Sequence, residues 1–276
     1  MLFFVAFFSV LALYFALIAF LLSPGRKRKL FLLSGPKYYA HRGLYSDDQK
    51  VPENSLEAFS AAADKGYGIE LDVQLTRDGK IVVFHDDDLS RCTGLTGRIG
   101  DYSFTALRDG TSLFDSDEKI PLFSDVLGLV SGRVPLIVEI KACPEWRELC
   151  GSVLSVLEDY SGLYCVESFD PRIIGWFRIQ APEIIRGQLS EQLRHISRDF
   201  NPVLRFSESR LLGNFISRPD FIAYRIGKRS FLADMACNMA SCRVGWTLDP
   251  SIKREQAADF DILIFEHTDP EKQLSE

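Results

Sequence analysis

Glu70, Asp72 and His85 are where this sequence first offers chemistry. They lie in the stretch 68–88, where two apolar runs, 69–75 and 81–84, flank Asp78-Gly79. Asp-Gly between β-rich runs predicts a hairpin, because a two-residue type I′ turn needs positive φ at both central positions. That turn sets Arg77 opposite Lys80, Leu75 opposite Val82 and Asp72 opposite His85, with cross-strand Cβ atoms about 5 Å apart. Glu70 precedes Asp72 by two residues and shares its face. Paired carboxylates suit a hard divalent cation, and an adjacent imidazole suits proton transfer. A solvated strand face would carry the same residue types with no task, so the rest of the chain must decide.

The elements around this stretch place more groups at the same end. Lys37–Gly43 reads as a short strand ending in His41-Arg42. Residues 52–63 open a helix, with Asn54 as N-cap and Glu57 as its capping-box partner. After a mixed, partly Gly-rich segment at 87–134, apolar strands recur at 135–141, 163–168, 184–189, 220–225, 243–248 and 260–265. Helix-like segments separate them at 144–160, 171–182, 190–199, 228–241 and 250–258. This alternation predicts a parallel sheet with crossover helices. Thr76 to Lys80 is too short for a parallel crossover, so 81–85 is an antiparallel return. The strands that remain number eight, enough to close a (β/α)₈ barrel.

Catalytic groups of such barrels sit at the C-terminal strand ends. His41 and Arg42, then Glu70 and Asp72, then Glu139 and Lys141 all fall there. Three acids, two imidazoles and two cations on one rim suit metal-assisted attack on a phosphodiester. Other chemistry-bearing residues read more plainly. His195 belongs to a solvated helix face, His267 to a barrel rim, and Asp86, Asp87 and Asp88 to a solvated turn, since three adjacent acids cannot all face one ion.

Composition bounds the setting. Residues 1–22 are apolar apart from Ser9 and Tyr14, and Arg26-Lys27-Arg28-Lys29 follows at once. A bilayer takes about 20 residues to span. No charged n-region precedes the segment, and Ser23-Pro24-Gly25 is a poor cleavage site, so an uncleaved anchor is expected rather than a signal peptide. The basic cluster then places the remainder in the cytoplasm, N-out and C-in. The predicted units are an anchor at 1–22, a basic juxtamembrane linker at 23–36 and a barrel domain at 37–276. The chain carries −6; removing the four basic residues 26–29 leaves −10. Bulk charge this acidic excludes a nucleic-acid binder. Six cysteines with no Cys-x-x-Cys pair read as reduced packing residues.

The motifs together carry a resemblance. His41-Arg-Gly, Pro52-Glu-Asn-Ser-Leu-Glu-Ala-Phe, Glu70-Leu-Asp-Val-Gln-Leu-Thr-Arg-Asp-Gly, Val82-Val-Phe-His-Asp and Val138-Glu-Ile-Lys stand in the order seen in the glycerophosphodiester phosphodiesterase family. The likeness runs from about Tyr38 to the end and includes Leu89-x-Arg91-x-Thr93 and Ile120-Pro121. It implies a (β/α)₈ barrel with a small insertion between strands two and three, and one Ca²⁺ or Mg²⁺ held by Glu70, Asp72 and Glu139, with His41 and His85 as general acid and base. It implies phosphate contacts from Arg42 and Lys141, and Phe169 and Trp246 lining the glycerol side. It also implies attack by the substrate's own glycerol hydroxyl. Two positions depart from the usual pattern: Ser55 stands where Thr is common, and the last strand ends in Glu266-His267. Three functions follow as expectations. The first is a phosphodiesterase releasing sn-glycerol 3-phosphate and an alcohol from a glycerophosphodiester. The others are a lysophospholipase D acting on membrane lysophospholipids and a non-catalytic barrel that binds a lipid head group. The oligomeric state is not legible in the sequence.

Overall fold

A computed structural model describes residues 2–25, 35–196 and 201–275; the basic cluster at 26–29 and most of the linker lie outside the described residues. In chain order the elements begin with helix α1 (Leu2–Leu22), strand β1 (Tyr38–His41), α2 (Leu56–Asp64), β2 (Gly68–Leu75) and β3 (Ile81–Val83). The insertion follows, with α3 (Ser90–Thr93) and α4 (Phe104–Gly110), before α5 (Phe123–Val130) and β4 (Leu136–Ile140). Then come α6 (Trp146–Glu158), β5 (Tyr164–Ser168), α7 (Pro171–Gln180), β6 (Arg186–Ser190), α8 (Pro202–Ser209) and α9 (Asn214–Ser217). The chain ends with β7 (Phe221–Arg225), α10 (Phe231–Met239), β8 (Arg243–Leu248), α11 (Arg254–Ala257), β9 (Ile262–Phe265) and α12 (Pro270–Ser275).

The strand order β1-β9-β8-β7-β6-β5-β4-β2, closed by β1 against β2, makes the expected (β/α)₈ barrel, with β3 paired antiparallel outside it. Local chemistry starts the helices. Asp170 caps α7 ahead of Pro171, Asn201 caps α8 ahead of Pro202, and Ser230 caps α10; proline fits the first turn because its missing N–H is unpaired there anyway. The barrel interior is filled below the rim by Tyr39, Ile137, Cys165, Phe221 and Val244, all fully buried. Two glycines make room for the rings. A Cβ on Gly68 would lie 2.4 Å from the Tyr39 ring, and one on Gly187 would lie 2.1 Å from Phe221. A second core packs strands against the outer helices, and a small third core holds the insertion together around Phe84, Leu89, Cys92 and Leu107.

Three local expectations are corrected. The hairpin is one residue out of the predicted register: Leu75 pairs with Ile81 and Gln74 with Val82. Thr76 accepts from Gly79 N–H and donates to Lys80 O, and Gly79 but not Asp78 has positive φ. The loop is therefore three residues with a left-handed glycine, not a type I′ turn. Helix α2 is capped by Ser55, whose side chain accepts from Ala58 N–H, while Asn54 sits at φ 55°. Helix 190–199 is not found among the described residues there; the helix starts later, where Asn201-Pro202 supplies cap and first turn.

Helix α1 from Phe4 to Leu22 is long and apolar enough to cross a membrane, and it is largely exposed. Its last turn is tied to the barrel. Leu22 is fully buried, Asn214 Nδ2 donates to Leu22 O at 3.1 Å, and Gly25 N–H donates to Pro219 O at 2.7 Å.

Candidate active site

Strand register assembles the acids. His41 pairs with Glu70 across β1 and β2, Asp72 with Glu139 across β2 and β4, and Glu139 with Glu167 across β4 and β5. Paired residues on parallel neighbours point to the same side: His41, Glu70, Glu139 and Glu167 line the cavity, and Asp72 is buried among them. Glu70, Asp72 and Glu139 are buried, and each offers a carboxylate oxygen within 4.8 Å of the others. Burial, then the charges of Asp72 and Glu139, pushes the Glu70 carboxyl well above its ordinary range. Burial raises Glu139 too. Asp72 goes the other way: burial opposes ionisation, but Lys141, His85 and Arg42 together hold it low. Buried oxygen donors crowded this closely fit a hard cation such as Ca²⁺ or Mg²⁺.

The cations stand among these acids. Lys141 Nζ lies 2.8 Å from Asp72 Oδ1 and 2.9 Å from Glu139 Oε1. Arg42 donates to Glu53 Oε1 at 2.7 Å, with its Nε 3.7 Å from Asp72. Its backbone N–H donates to Glu70 Oε2 at 3.1 Å. Asn54 Nδ2 donates to Asp72 Oδ2 at 2.9 Å. The left-handed backbone that disqualifies Asn54 as a cap is what turns its amide toward Asp72.

Each histidine is held at Nδ1 by a carboxylate. His41 Nδ1 is 2.5 Å from Glu266 Oε2, and its Nε2 faces the acids, 3.9 Å from Glu70. Burial, then Arg42, lowers the His41 pKa, with Glu266 opposing. Glu266 itself is held down at about 2, because the His41 hydrogen bond and charge outweigh burial. His85 Nδ1 is 2.8 Å from Asp86 Oδ1. Although β3 stops at Val83 and Phe84 N–H bonds Asp72 O, the chain turns His85 into the cavity. Arg91 grips Asp86 and Glu53 with two hydrogen bonds each. The expectation of a solvated turn therefore holds for exposed Asp87 and Asp88 but fails for half-buried Asp86.

A cavity of about 600 Å³ joins these groups and reaches Phe169 and Trp246, whose rings meet edge to face at 5.7 Å. All nine residues expected at the site converge here: His41, His85, Arg42, Lys141, Phe169, Trp246, Glu70, Asp72 and Glu139. Sequence reasoning missed Asn54, Glu53, Asp86, Arg91, Tyr45, Glu167 and Glu266. Glu167 is buried, lines the cavity, and its Oε2 has no hydrogen-bond partner. Only strand register reveals it, since its sequence surroundings read as an ordinary strand. His267, expected at the rim without a task, also lines the cavity, with Nε2 3.0 Å from the Tyr45 hydroxyl and Nδ1 against Asp47. His195 is exposed, as expected.

Comparison with known proteins follows the same residues. A family model described as the glycerophosphoryl diester phosphodiesterase family matches residues 41–221 of the 276. A glycerophosphodiester phosphodiesterase of Bacillus altitudinis is 40% identical over 111 residues, 38% of this chain and 44% of that protein. Glycerophosphodiester phosphodiesterase 1 of Homo sapiens is 38% identical over 96 residues, 32% of this chain and 28% of that protein. The chain thus spans less than half the length of these curated relatives. Among solved structures, a phosphodiesterase of Oleispira antarctica, in complex with the product sn-glycerol-3-phosphate, superposes with a TM-score of 0.66 at 22% identity, covering 84% of this chain and 93% of that one. At that identity the likeness is one of fold. A glycerophosphodiester phosphodiesterase of Thermotoga maritima gives a TM-score of 0.60 at 28% identity, covering 83% of this chain and 93% of that one.

Proposed function

The chain belongs to the glycerophosphoryl diester phosphodiesterase family, and from that premise we propose that it is a metal-dependent hydrolase releasing sn-glycerol 3-phosphate and an alcohol from a glycerophosphodiester. The observation that carries this is the convergence of Glu70, Asp72 and Glu139 with two imidazoles, each fixed at Nδ1, on one cavity. Glu70, Asp72 and Glu139 would hold one divalent cation, Ca²⁺ or Mg²⁺, which when bound polarises a phosphoryl oxygen. Arg42 and Lys141 hold the remaining phosphoryl charge, Arg as a fork and Lys as a point charge. With Nδ1 occupied by a carboxylate, each histidine presents Nε2 for proton transfer. One imidazole takes the proton of the substrate's glycerol hydroxyl as its oxygen attacks phosphorus. The other protonates the leaving alkoxide, giving a cyclic phosphate and free alcohol. For hydrolysis the roles reverse, and water opens the ring. Phe169 and Trp246 give the glycerol an apolar wall.

The membrane is part of the proposal. Helix α1 holds the chain to the cell membrane as a single pass, N-out, with the barrel in the cytoplasm. That tether favours a second substrate reading, a lysophospholipase D acting on lysophospholipids, because α1 brings the site to the lipid. A non-catalytic head-group binder would have no use for two oriented imidazoles. A coupled assay for glycerol 3-phosphate, with glycerophosphocholine and lysophosphatidylcholine side by side, tests all three. The lyso-lipid yields choline and a lysophosphatidic acid instead, so choline is measured in parallel. Turnover of either substrate supports the enzyme, and His41→Ala or His85→Ala should lower it by about 10²–10⁴-fold. Turnover of neither leaves the head-group binder.

A further inference from the structure

Six glutamates line the cavity, and five of them have a partner among the described residues. Glu53 holds Arg42, Glu70 takes the Arg42 N–H, Glu139 holds Lys141, Glu191 holds Arg225 and Glu266 holds His41. Glu167 is the exception. It is buried, and its Oε2 has no hydrogen-bond partner. A buried acceptor left open costs free energy, so its presence calls for something that completes it.

The neighbouring strands supply no partner. In register, Glu167 stands between Glu139 on β4, a second acid, and Gly187 on β6, which has no side chain. Lys141 is engaged by Asp72 and Glu139. Nor does Glu167 belong with the cation acids: the oxygens that crowd within 4.8 Å are those of Glu70, Asp72 and Glu139. Phe169 lies two residues on and shares its face. The Phe169 ring meets Trp246, whose Nε1 is also buried without a partner. An open acceptor and an open donor on one cavity suit a group that both gives and takes a hydrogen bond, and an alcohol is such a group. Burial, then Glu139 and Asp72, raises the Glu167 carboxyl, but a carboxyl accepts in either protonation state.

The substrate carries that alcohol. In a glycerophosphodiester the middle hydroxyl attacks phosphorus, and the far hydroxyl changes no bond. We propose that Glu167 is a specificity-determining residue, accepting a hydrogen bond from the far hydroxyl beside the Phe169 wall, so that the site takes fully deacylated glycerophosphodiesters ahead of lysophospholipids. A lysophospholipid acylated at the far oxygen has no hydrogen to give there, and its binding would leave the acid buried and open. Sites built to bond a hydroxyl reject the analogue that lacks it, by about 10⁴–10⁵-fold at the extreme. Helix α1 brings the chain to lipid; Glu167 selects what the site accepts. The inference rests on the phosphodiesterase reading and decides between its two substrates.

The test measures choline release by the full chain in detergent from glycerophosphocholine and two soluble analogues. One analogue has hydrogen in place of the far hydroxyl, and the other has that hydroxyl methylated. The parent should cleave glycerophosphocholine with a kcat/KM at least about 10²-fold above either analogue. Glu167→Leu should lose about that factor on glycerophosphocholine and bring all of these substrates within about threefold of one another. Glu167→Gln keeps an acceptor oxygen and should keep most of the preference. The parent and Glu167→Gln carry the test if Glu167→Leu does not fold. Lysophosphatidylcholine in micelles should follow the methylated analogue. A parent that treats glycerophosphocholine and its analogues alike would overturn the proposal. So would a lysophospholipid cleaved as fast as glycerophosphocholine, or a Glu167→Leu loss equal on every substrate. Choline released from none of them would remove the phosphodiesterase reading, and this inference with it.

Discussion

Glu266 Oε2 stands 2.5 Å from His41 Nδ1, joining the last barrel strand to the first. The same oxygen accepts from the Tyr45 hydroxyl at 3.0 Å. This pairing fixes the ring and leaves Nε2 facing the buried acids, 3.9 Å from Glu70 Oε2.

Glu266→Gln keeps the shape of the contact and removes its charge. Turnover should fall by about 10–10²-fold, the range for partners that orient a working imidazole. Glu266 raises the His41 pKa against burial and Arg42. Its removal should therefore move the His41 limb of the pH–rate profile to lower pH. A profile that does not move would show that Glu266 only packs.

Lys141 sits between Asp72 and Glu139 and partly neutralises both. Lys141→Met leaves two buried carboxylates facing each other, at a cost of roughly 3–5 kcal/mol. A divalent cation can take over that neutralisation. Thermal melting should show a large loss in chelator and substantial recovery on adding Ca²⁺ or Mg²⁺. The specificity constant should stay low even with metal, because phosphoryl charge is present in ground and transition states alike. A melting deficit indifferent to metal would separate Lys141 from the cation site.

Glu208 reports on the rim. Burial, then Glu191 and Asp170, raises its pKa from 4.5 to about 7. A carboxyl raised in the folded state contributes stability below its unfolded value, and that stability is lost as pH rises through the folded one. Glu208→Gln should accordingly melt like the parent at pH 4 and higher than it at pH 8. Partial exposure screens the effect, so the gain should be on the order of 2–4 °C. A gain equal at both pH values would refute the assignment.

The fold was legible because its signals are periodic. Apolar runs at regular spacing gave the strands, and one loop too short for a crossover removed β3 from the count. The motif residues of the site were legible because they end those strands. The hairpin register was not, since Asp-Gly fits a three-residue loop with Gly79 left-handed as well as a two-residue turn. His85 nonetheless reaches the cavity, because the chain leaves the sheet after Val83. Asn54 reads as a cap by type, and only its positive φ shows that Ser55 takes that place. Glu266 and Glu167 needed the closed barrel, which sets β9 beside β1 and β5 beside β4. Helix α8 escaped because its apolar residues face outward, against the pattern by which helices are recognised.

The central claim is that three buried acids hold a cation on which turnover depends. The most direct measurement is the rate of glycerol 3-phosphate release from glycerophosphocholine by the full chain before chelation, after it, and after Ca²⁺ or Mg²⁺ is restored, beside Glu139→Gln. The account predicts loss to background on chelation, recovery with metal, and no recovery in Glu139→Gln. Full turnover in the chelated enzyme, or in Glu139→Gln, would contradict it.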